Sequence, residues 1–252
     1  MVACGNKSVD LNDRLQYPAD VIFYQKTDSL IISDQGNERI VRWSRQNDTA
    51  IETIISDINC LGIAMDNNGY FYVSSFAEHD VTRWKLEEED DDEDEEDGED
   101  EEDGSVVAGG NGEGNQLNQL NYPTHIFVDE DQSVYVSDSH NHRVMKWMKG
   151  AKEGIIVAGG QGQGSDLTRL NYPYGLIVDH LGNVYVADYG NNRIMCWSKE
   201  SKQGRVIVDG HELEKSLNQF GSPVGLSFDR HGNLYVADER NHCIRKFEID
   251  SH

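Results

Sequence analysis

The 252-residue chain is short of cysteine and proline, with four of each. Four cysteines in a chain this long do not make a disulfide framework. No apolar run approaches the roughly 18 residues that a membrane-spanning helix requires, so no membrane partner is expected. Met1 to Asp10 lack the apolar core of a secretory signal. A cytoplasmic location is therefore expected, with the sequons at Asn6 and Asn47 idle. Positive charge is also scarce, at 22 Lys and Arg against 46 Asp and Glu. Affinity for phosphates comes from clustered bases, so nucleic acid is not expected as a partner.

The charge imbalance is local. Sixteen of the 46 acids lie between Glu87 and Asp103, a stretch broken only by Gly98. The remaining chain carries 30 acids against its 22 bases, which is only mildly acidic. A block of like charge repels itself and buries nothing. It is expected as a disordered acidic loop inserted into one globular domain, serving as a spacer, a dock for a basic partner or a weak buffer for divalent cations.

The rest of the chain repeats itself. Tyr172-Pro173 followed by Gly175-Leu176-Ile177-Val178-Asp179 matches Tyr122-Pro123 through Asp129 and Ser222-Pro223 through Asp229. Val184-Tyr185-Val186-Ala187-Asp188 matches Val134 to Asp138 and Leu234 to Asp238. Asn191 through Trp197 matches Asn141 through Trp147 and Asn241 through Phe247. An earlier copy runs from Tyr17 to Trp43 and a degenerate one from Cys60 to Trp84. The starts at 18, 60, 123, 173 and 223 are spaced by 42, 63, 50 and 50 residues, the acidic run falling in the longest interval.

Each copy reads as strands. A short apolar run ends in a Gly-Asn turn, a β-branched and aromatic run ends at an aspartate, and a third run ends at tryptophan or phenylalanine. A fourth follows, as in Ile155 to Ala158. Four antiparallel strands per copy predict an all-β β-propeller of five blades. The acidic run 87–103 then falls between the third and fourth strands of the second blade. Val2-Ala3-Cys4-Gly5 matches Val107 to Gly110, a fourth strand without its first three, and the chain ends after a third strand. The two ends are expected to complete one blade and close the ring, hiding two sheet edges.

These motifs resemble the NHL repeat. The resemblance covers nearly the whole chain outside 87–103, with the copies at 123–147, 173–197 and 223–247 matching best. It implies a propeller usually of six blades, so five copies leave two readings open, a five-bladed ring or one lacking an N-terminal blade. It also implies a platform for protein or RNA, in one large group the substrate-recognition end of RING-type ubiquitin ligases. The chain has no RING-like Cys/His pattern, and its acidic body argues against RNA.

Several residues are candidates for chemistry. Asp34, Asp138, Asp188 and Asp238 recur at second-strand ends, three residues before Asn37, Asn141, Asn191 and Asn241. They are read as structural turn residues, with Arg39, Arg143 and Arg193 part of the same frame. The runs Gly109 to Gly114 and Gly159 to Gly164 lack the following helix of a phosphate loop and read as linkers. His140 and His142 lack the further ligands of a zinc site. His125 replaces a glycine found at 62, 175 and 225, on strands that line a propeller's channel, where Asp20 also falls. Cys243 occupies the Arg143 position and Cys4 the Gly159 position, so the two thiols are expected to face each other across the closure.

A fixed frame with variable tips describes a recognition face. Gln35, Phe76, His140, Tyr189 and Arg240 are its expected contacts. The leading expectation is thus a monomeric, non-enzymatic protein-interaction scaffold with no cofactor and no catalytic or metal-binding residues. The rival is a lactonase- or lyase-type propeller enzyme with a metal in the channel. A self-associating array is a third reading.

Overall fold

The computed structural model describes residues 14–44, 51–85, 104–209 and 221–249. Nineteen strands form five antiparallel sheets. Blade one holds β1 (Pro18–Tyr24), β2 (Ser29–Asp34), β3 (Arg39–Ser44) and β4 (Ile51–Ile55). Blade two holds β5 (Cys60–Met65), β6 (Tyr70–Ser75), β7 (Asp80–Lys85) and β8 (Ser105–Gly109). Blade three holds β9 (Pro123–Val128), β10 (Val134–Asp138), β11 (Arg143–Trp147) and β12 (Ile155–Gly159). Blade four holds β13 (Pro173–Val178), β14 (Val184–Asp188), β15 (Arg193–Trp197) and β16 (Arg205–Asp209). Blade five shows three strands, β17 (Pro223–Phe228), β18 (Leu234–Asp238) and β19 (Cys243–Phe247). The result is a β-propeller, with residues 86–103 falling between β7 and β8.

Side chains alternate across each strand, so every blade offers an apolar face to both neighbours. Ile31 and Ile40 of blade one pack with Ile63, Phe71 and Val73 of blade two. Tyr72, Val81 and Ala108 of blade two meet Ile126, Val136, Met145 and Trp147. Val144 and Ala158 meet Leu176, Val186 and Trp197, and Ile194 meets Leu234 and Val236. Among the described residues no such cluster joins blade five to blade one. Val21 and Phe23 on β1 are 54% and 50% exposed, and Ile244 on β19 is 66% exposed. The strand expected to complete blade five, Val2 to Gly5, lies outside the described residues, as does Cys4. Cys243 is an exposed free thiol opposite Asp238.

The recurring aspartates do more than shape their turns. Asp34, Asp138 and Asp188 make no side-chain cap to the 3-10 turns that follow them; only Asp238 accepts from a turn amide, Asn241 N. Each instead binds the chain entering its own blade. Asp138 Oδ1 accepts from Asn121 N at 2.7 Å, Asp188 Oδ1 from Asn171 N at 2.7 Å and Asp34 Oδ1 from Gln16 N at 2.6 Å. The same carboxylates hold Asn37, Asn141 and Asn191 through their Nδ2 at 2.8 Å. Arg143 Nε donates to Asp138 at 2.6 Å, and its two NH groups reach the carbonyls of Asn115, Gln116 and Gln119. Arg193 repeats this with Asp188 and the carbonyls of Ser165, Asp166 and Arg169. In blade five, where Cys243 replaces the arginine, Arg245 pairs with Asp238 at 2.8 Å instead.

Blade two inverts the pair. Ser75 stands where the aspartate recurs, opposite Asp80 in place of the arginine. Asp80 is buried, and its Oδ1 lacks a hydrogen-bond partner among the described residues. Burial, and secondarily the charge of Glu78, push its carboxyl up to about 6. A folded-state value above the unfolded one means the carboxylate destabilises the fold once ionised. The penalty is absent below pH ~4, grows towards pH ~6 and is complete above it. Asp80→Asn should therefore stabilise the fold by about 1–3 kcal/mol at pH 7.5 and by almost nothing at pH 4. Urea titrations at the two pH values check this; an equal gain at both would refute it.

Candidate functional site

The innermost strands are β1, β5, β9, β13 and β17, and their third residues are Asp20, Gly62, His125, Gly175 and Gly225. Gly62 matters for its size. A Cβ there would lie 2.6 Å from the Thr124 carbonyl oxygen and 2.7 Å from His125 Cα. The bare backbone lets β5 and β9 close up, leaving Asp20 of blade one within reach of His125 of blade three. Asp20 Oδ2 lies 4.0 Å from His125 Nε2. Asp20 is held by two amides, Ile63 N to Oδ2 at 3.0 Å and Val21 N to Oδ1 at 2.8 Å. Burial pushes its carboxyl above the usual range, against the pull of His125 and those amides.

His125 Nδ1 is buried with no hydrogen-bond partner among the described residues. Its ring lies 5.1 Å from that of Tyr174, which lies 6.1 Å from Tyr189. Burial raises the Tyr174 hydroxyl to about 12, helped by Tyr122, Glu239, Asp20 and Tyr189. A chain of rings continues across blades two to four. Phe76 lies 5.2 Å from Tyr122, Tyr122 stacks on His140 at 4.6 Å and 11°, and Tyr172 contacts His140 at 5.7 Å and His142 at 4.7 Å.

The blade frame sets these rings in place. Tyr122 and Tyr172 each follow an asparagine whose amide is held by Asp138 or Asp188. Their own amides donate to His79 Nδ1 at 3.4 Å and His142 Nδ1 at 3.1 Å in the preceding blade. Both have positive φ, 54° and 49°, an uncommon state for a residue before proline. Burial, and secondarily His140, keep His142 below the usual imidazole range, so its Nδ1 stays an acceptor. His142 is thus a staple between blades.

Of the expected face residues, Phe76, His140 and Tyr189 join the aromatic arc. Gln35 and Arg240 sit on equivalent turns outside it, Arg240 beside Gly221. Asp138 and Asp188 hold the amides of Asn121 and Asn171, the residues just before Tyr122 and Tyr172, whereas Asp34 and Asp238 serve blades one and five. Sequence reasoning missed Tyr122, Tyr172 and Tyr174. The recurrence of tyrosine before proline at 17, 122 and 172 was the available signal. A separate groove at the opposite strand ends, lined by Tyr135, Lys146, Met148 and Leu181, shares none of these residues.

The NHL repeat is matched at residues 120–147 and 220–247. No curated protein matches the sequence. Solved structures of similar fold include the nidogen/laminin complex, at 16% identity and TM-score 0.66, covering 93% of this chain and 81% of that one. A gluconolactonase from Xanthomonas campestris matches at 15% and TM-score 0.63, over 91% and 75% of the chains. The virginiamycin B lyase of Staphylococcus aureus, in a catalytically inactive histidine-to-alanine form with quinupristin, matches at 12% and 0.56, over 93% and 70%. Across the matched structures this chain spans as little as 58% of the other's length.

The fold is an all-β propeller. Two of its five blades carry NHL repeats. One expectation is corrected: neighbours of this fold are named as enzymes, so the fold gives no ground for a non-enzymatic assignment. The physical reason lies in the channel. Counting first-strand positions alone found one histidine and one aspartate, whereas the folded chain sets Tyr174 beside His125 and Tyr189 beside Tyr174. A channel metal fits poorly, because among the described residues no three His, Cys, Asp or Glu side chains converge. No helix among the described residues is long and apolar enough to cross a membrane.

Proposed function

We propose that the channel mouth is the active site of a lactonase- or lyase-type enzyme in which His125 moves the proton. The observation that carries this reading is the unpartnered, buried Nδ1 of His125, with Asp20 behind its Nε2. A carboxylate at Nε2 favours the tautomer protonated there and leaves the Nδ1 lone pair free. It also stabilises the imidazolium formed when Nδ1 takes a proton. Asp20 stands 4.0 Å away, so a contraction of about 1 Å brings it to hydrogen-bonding distance. Tyr174, its hydroxyl raised to about 12, stays protonated at neutral pH and can donate to an oxygen gaining charge.

In the hydrolytic form, Nδ1 takes a proton from water as its oxygen attacks a lactone carbonyl. Tyr174 donates to the carbonyl oxygen, and His125 returns the proton to the departing alkoxide. In the elimination form, Nδ1 takes a proton from the carbon next to the one bearing the ester oxygen, a C=C bond forms there, the alkyl C–O bond breaks and the ring ester opens as a carboxylate. Among the structural neighbours, a gluconolactonase supports the first form and a virginiamycin B lyase the second. A panel of aldonolactones, simple γ- and δ-lactones and cyclic depsipeptides tests the reading by mass spectrometry. Ring opening with one added water is the hydrolytic result, and opening without mass change is elimination. Failure to open any member would count against the assignment.

A further inference from the structure

We infer that Cys4 and Cys243 are a disulfide site, and that their bond ties residues 2–5 to the open edge of blade five and closes a five-bladed ring. That edge is β19, which has no strand on its outer side among the described residues. Its Ile244 is 66% exposed, whereas Val81, Val144 and Ile194 at the same position of blades two to four are wholly buried. Each of those three stands opposite a residue of its blade's fourth strand, Ala108, Ala158 and Val208 respectively. Val21 marks the other side of the same gap. It is 54% exposed, while Ile126 and Leu176 at its position are 6% and 5% exposed.

Residues 1–13 lie outside the described residues, and their sequence fits that gap. Val2 precedes Pro18 by the same interval that separates Val107 from Pro123 and Val157 from Pro173. The end of that stretch already follows the common path: Gln16 N donates to Asp34 as Asn121 N and Asn171 N donate to Asp138 and Asp188. Carried back along this path, Ala3 falls opposite Ile244, where Ala108 and Ala158 stand in blades two and three. Cys4 then falls opposite Cys243, where Asp80 meets Gly109, Arg143 meets Gly159 and Arg193 meets Asp209. Glycine is not required at that position, since blade four carries Asp209 there. Directly opposed residues of an antiparallel pair have Cα atoms about 4.5–5.5 Å apart, inside the span of a disulfide. Cys243 is an exposed thiol with no part in the blade frame, because Arg245 makes the pairing with Asp238 that an arginine at the Cys243 position makes in blades three and four. Cys60 and Cys196 are buried.

The oxidant is a small disulfide such as oxidised glutathione. The Cys243 thiolate attacks one of its sulfurs, the S–S bond breaks and one glutathione leaves as a thiol. The Cys4 thiolate then attacks the Cys243 sulfur of the mixed disulfide and releases the second glutathione. Two electrons pass from the cysteines to the oxidant, and the two thiol protons end on the released glutathiones.

The test is oxidised glutathione added to the dilute full chain, read by mass spectrometry and peptide mapping. The expected product is a monomer lighter by two hydrogens, in which the peptides of Cys4 and Cys243 are joined and no other pair is. Oxidation should raise the thermal midpoint by about 5–15 °C. In denaturing urea the bond should form at least ~10-fold more slowly, because the two thiols then sit at the ends of a long open loop. Cys4→Ser and Cys243→Ser should each abolish both the bond and the rise in midpoint. Ala3→Arg keeps both thiols but sets a charge against Ile244, and it should slow bond formation at least ~10-fold. A bond between two copies, or glutathione held on Cys243 with no link to Cys4, would overturn the inference. So would an equal rate in urea, or a rate unchanged in Ala3→Arg, because the strand would then not bring the thiols together.

Discussion

Changing His125 to alanine should lower kcat/KM for any lactone the protein opens by about 100- to 10,000-fold, the range of a positioned general base. The fold should tolerate the change, because the first-strand position it occupies is glycine in blades two, four and five. The thermal midpoint is therefore expected to stay within a few degrees of the parent. Asp20→Asn should lose less, about 10- to 100-fold, because the amide keeps an acceptor behind Nε2 but no longer stabilises an imidazolium. The two replacements together should cost little more than His125→Ala alone, as groups acting through one proton transfer are not additive. Steady-state kinetics on the four proteins check the set. A His125→Ala protein with undiminished kcat/KM, correctly folded, removes the histidine from the chemistry.

That dyad shows where sequence reading stops. The blades were legible because each strand repeats a pattern set by local physics: β-branched runs, Gly-Asn turns and a terminal tryptophan. The innermost positions were legible as well, because Asp20, Gly62, His125, Gly175 and Gly225 align. What alignment could not supply was the distance across the ring. Asp20 and His125 sit in blades one and three, and they approach only because Gly62 of the blade between lacks a side chain. The recurring aspartates were read from a local pattern that pointed to their own turns. Their main partners are the backbone amides of Gln16, Asn121 and Asn171, some 17 or 18 residues upstream. The aromatic arc was half legible. Phe76, His140 and Tyr189 stood out as variable turn tips, whereas Tyr122 and Tyr172 looked like ordinary residues before proline. Their ring positions depend on left-handed backbone and on amide bonds to the preceding blade, neither of which a repeat pattern displays.

The second large effect expected is on stability. Asp138→Ala should cost about 3–5 kcal/mol, the range for removing one partner of a buried ion pair. Asp138 is fully buried and Arg143 nearly so, with side-chain exposures of 0% and 5%. Without the carboxylate the guanidinium stays buried and uncompensated, and the Asn121 amide loses its acceptor. Asp34→Ala should cost less, because Arg39 is 15% exposed and water can take over part of the pairing. Urea denaturation of the two variants gives the comparison, and a loss below ~1 kcal/mol at Asp138 would contradict it. A double variant, Asp138→Ala with Arg143→Leu, separates two causes. If the ion pair alone matters, removing both charges should restore most of the stability. It should not, because Arg143 also donates to the carbonyls of Asn115, Gln116 and Gln119. Those carbonyls belong to the linker that ends at Tyr122. Loss of the linker's anchor should therefore also displace Tyr122 from its stack on His140, tying the buried aspartate to the rings it positions.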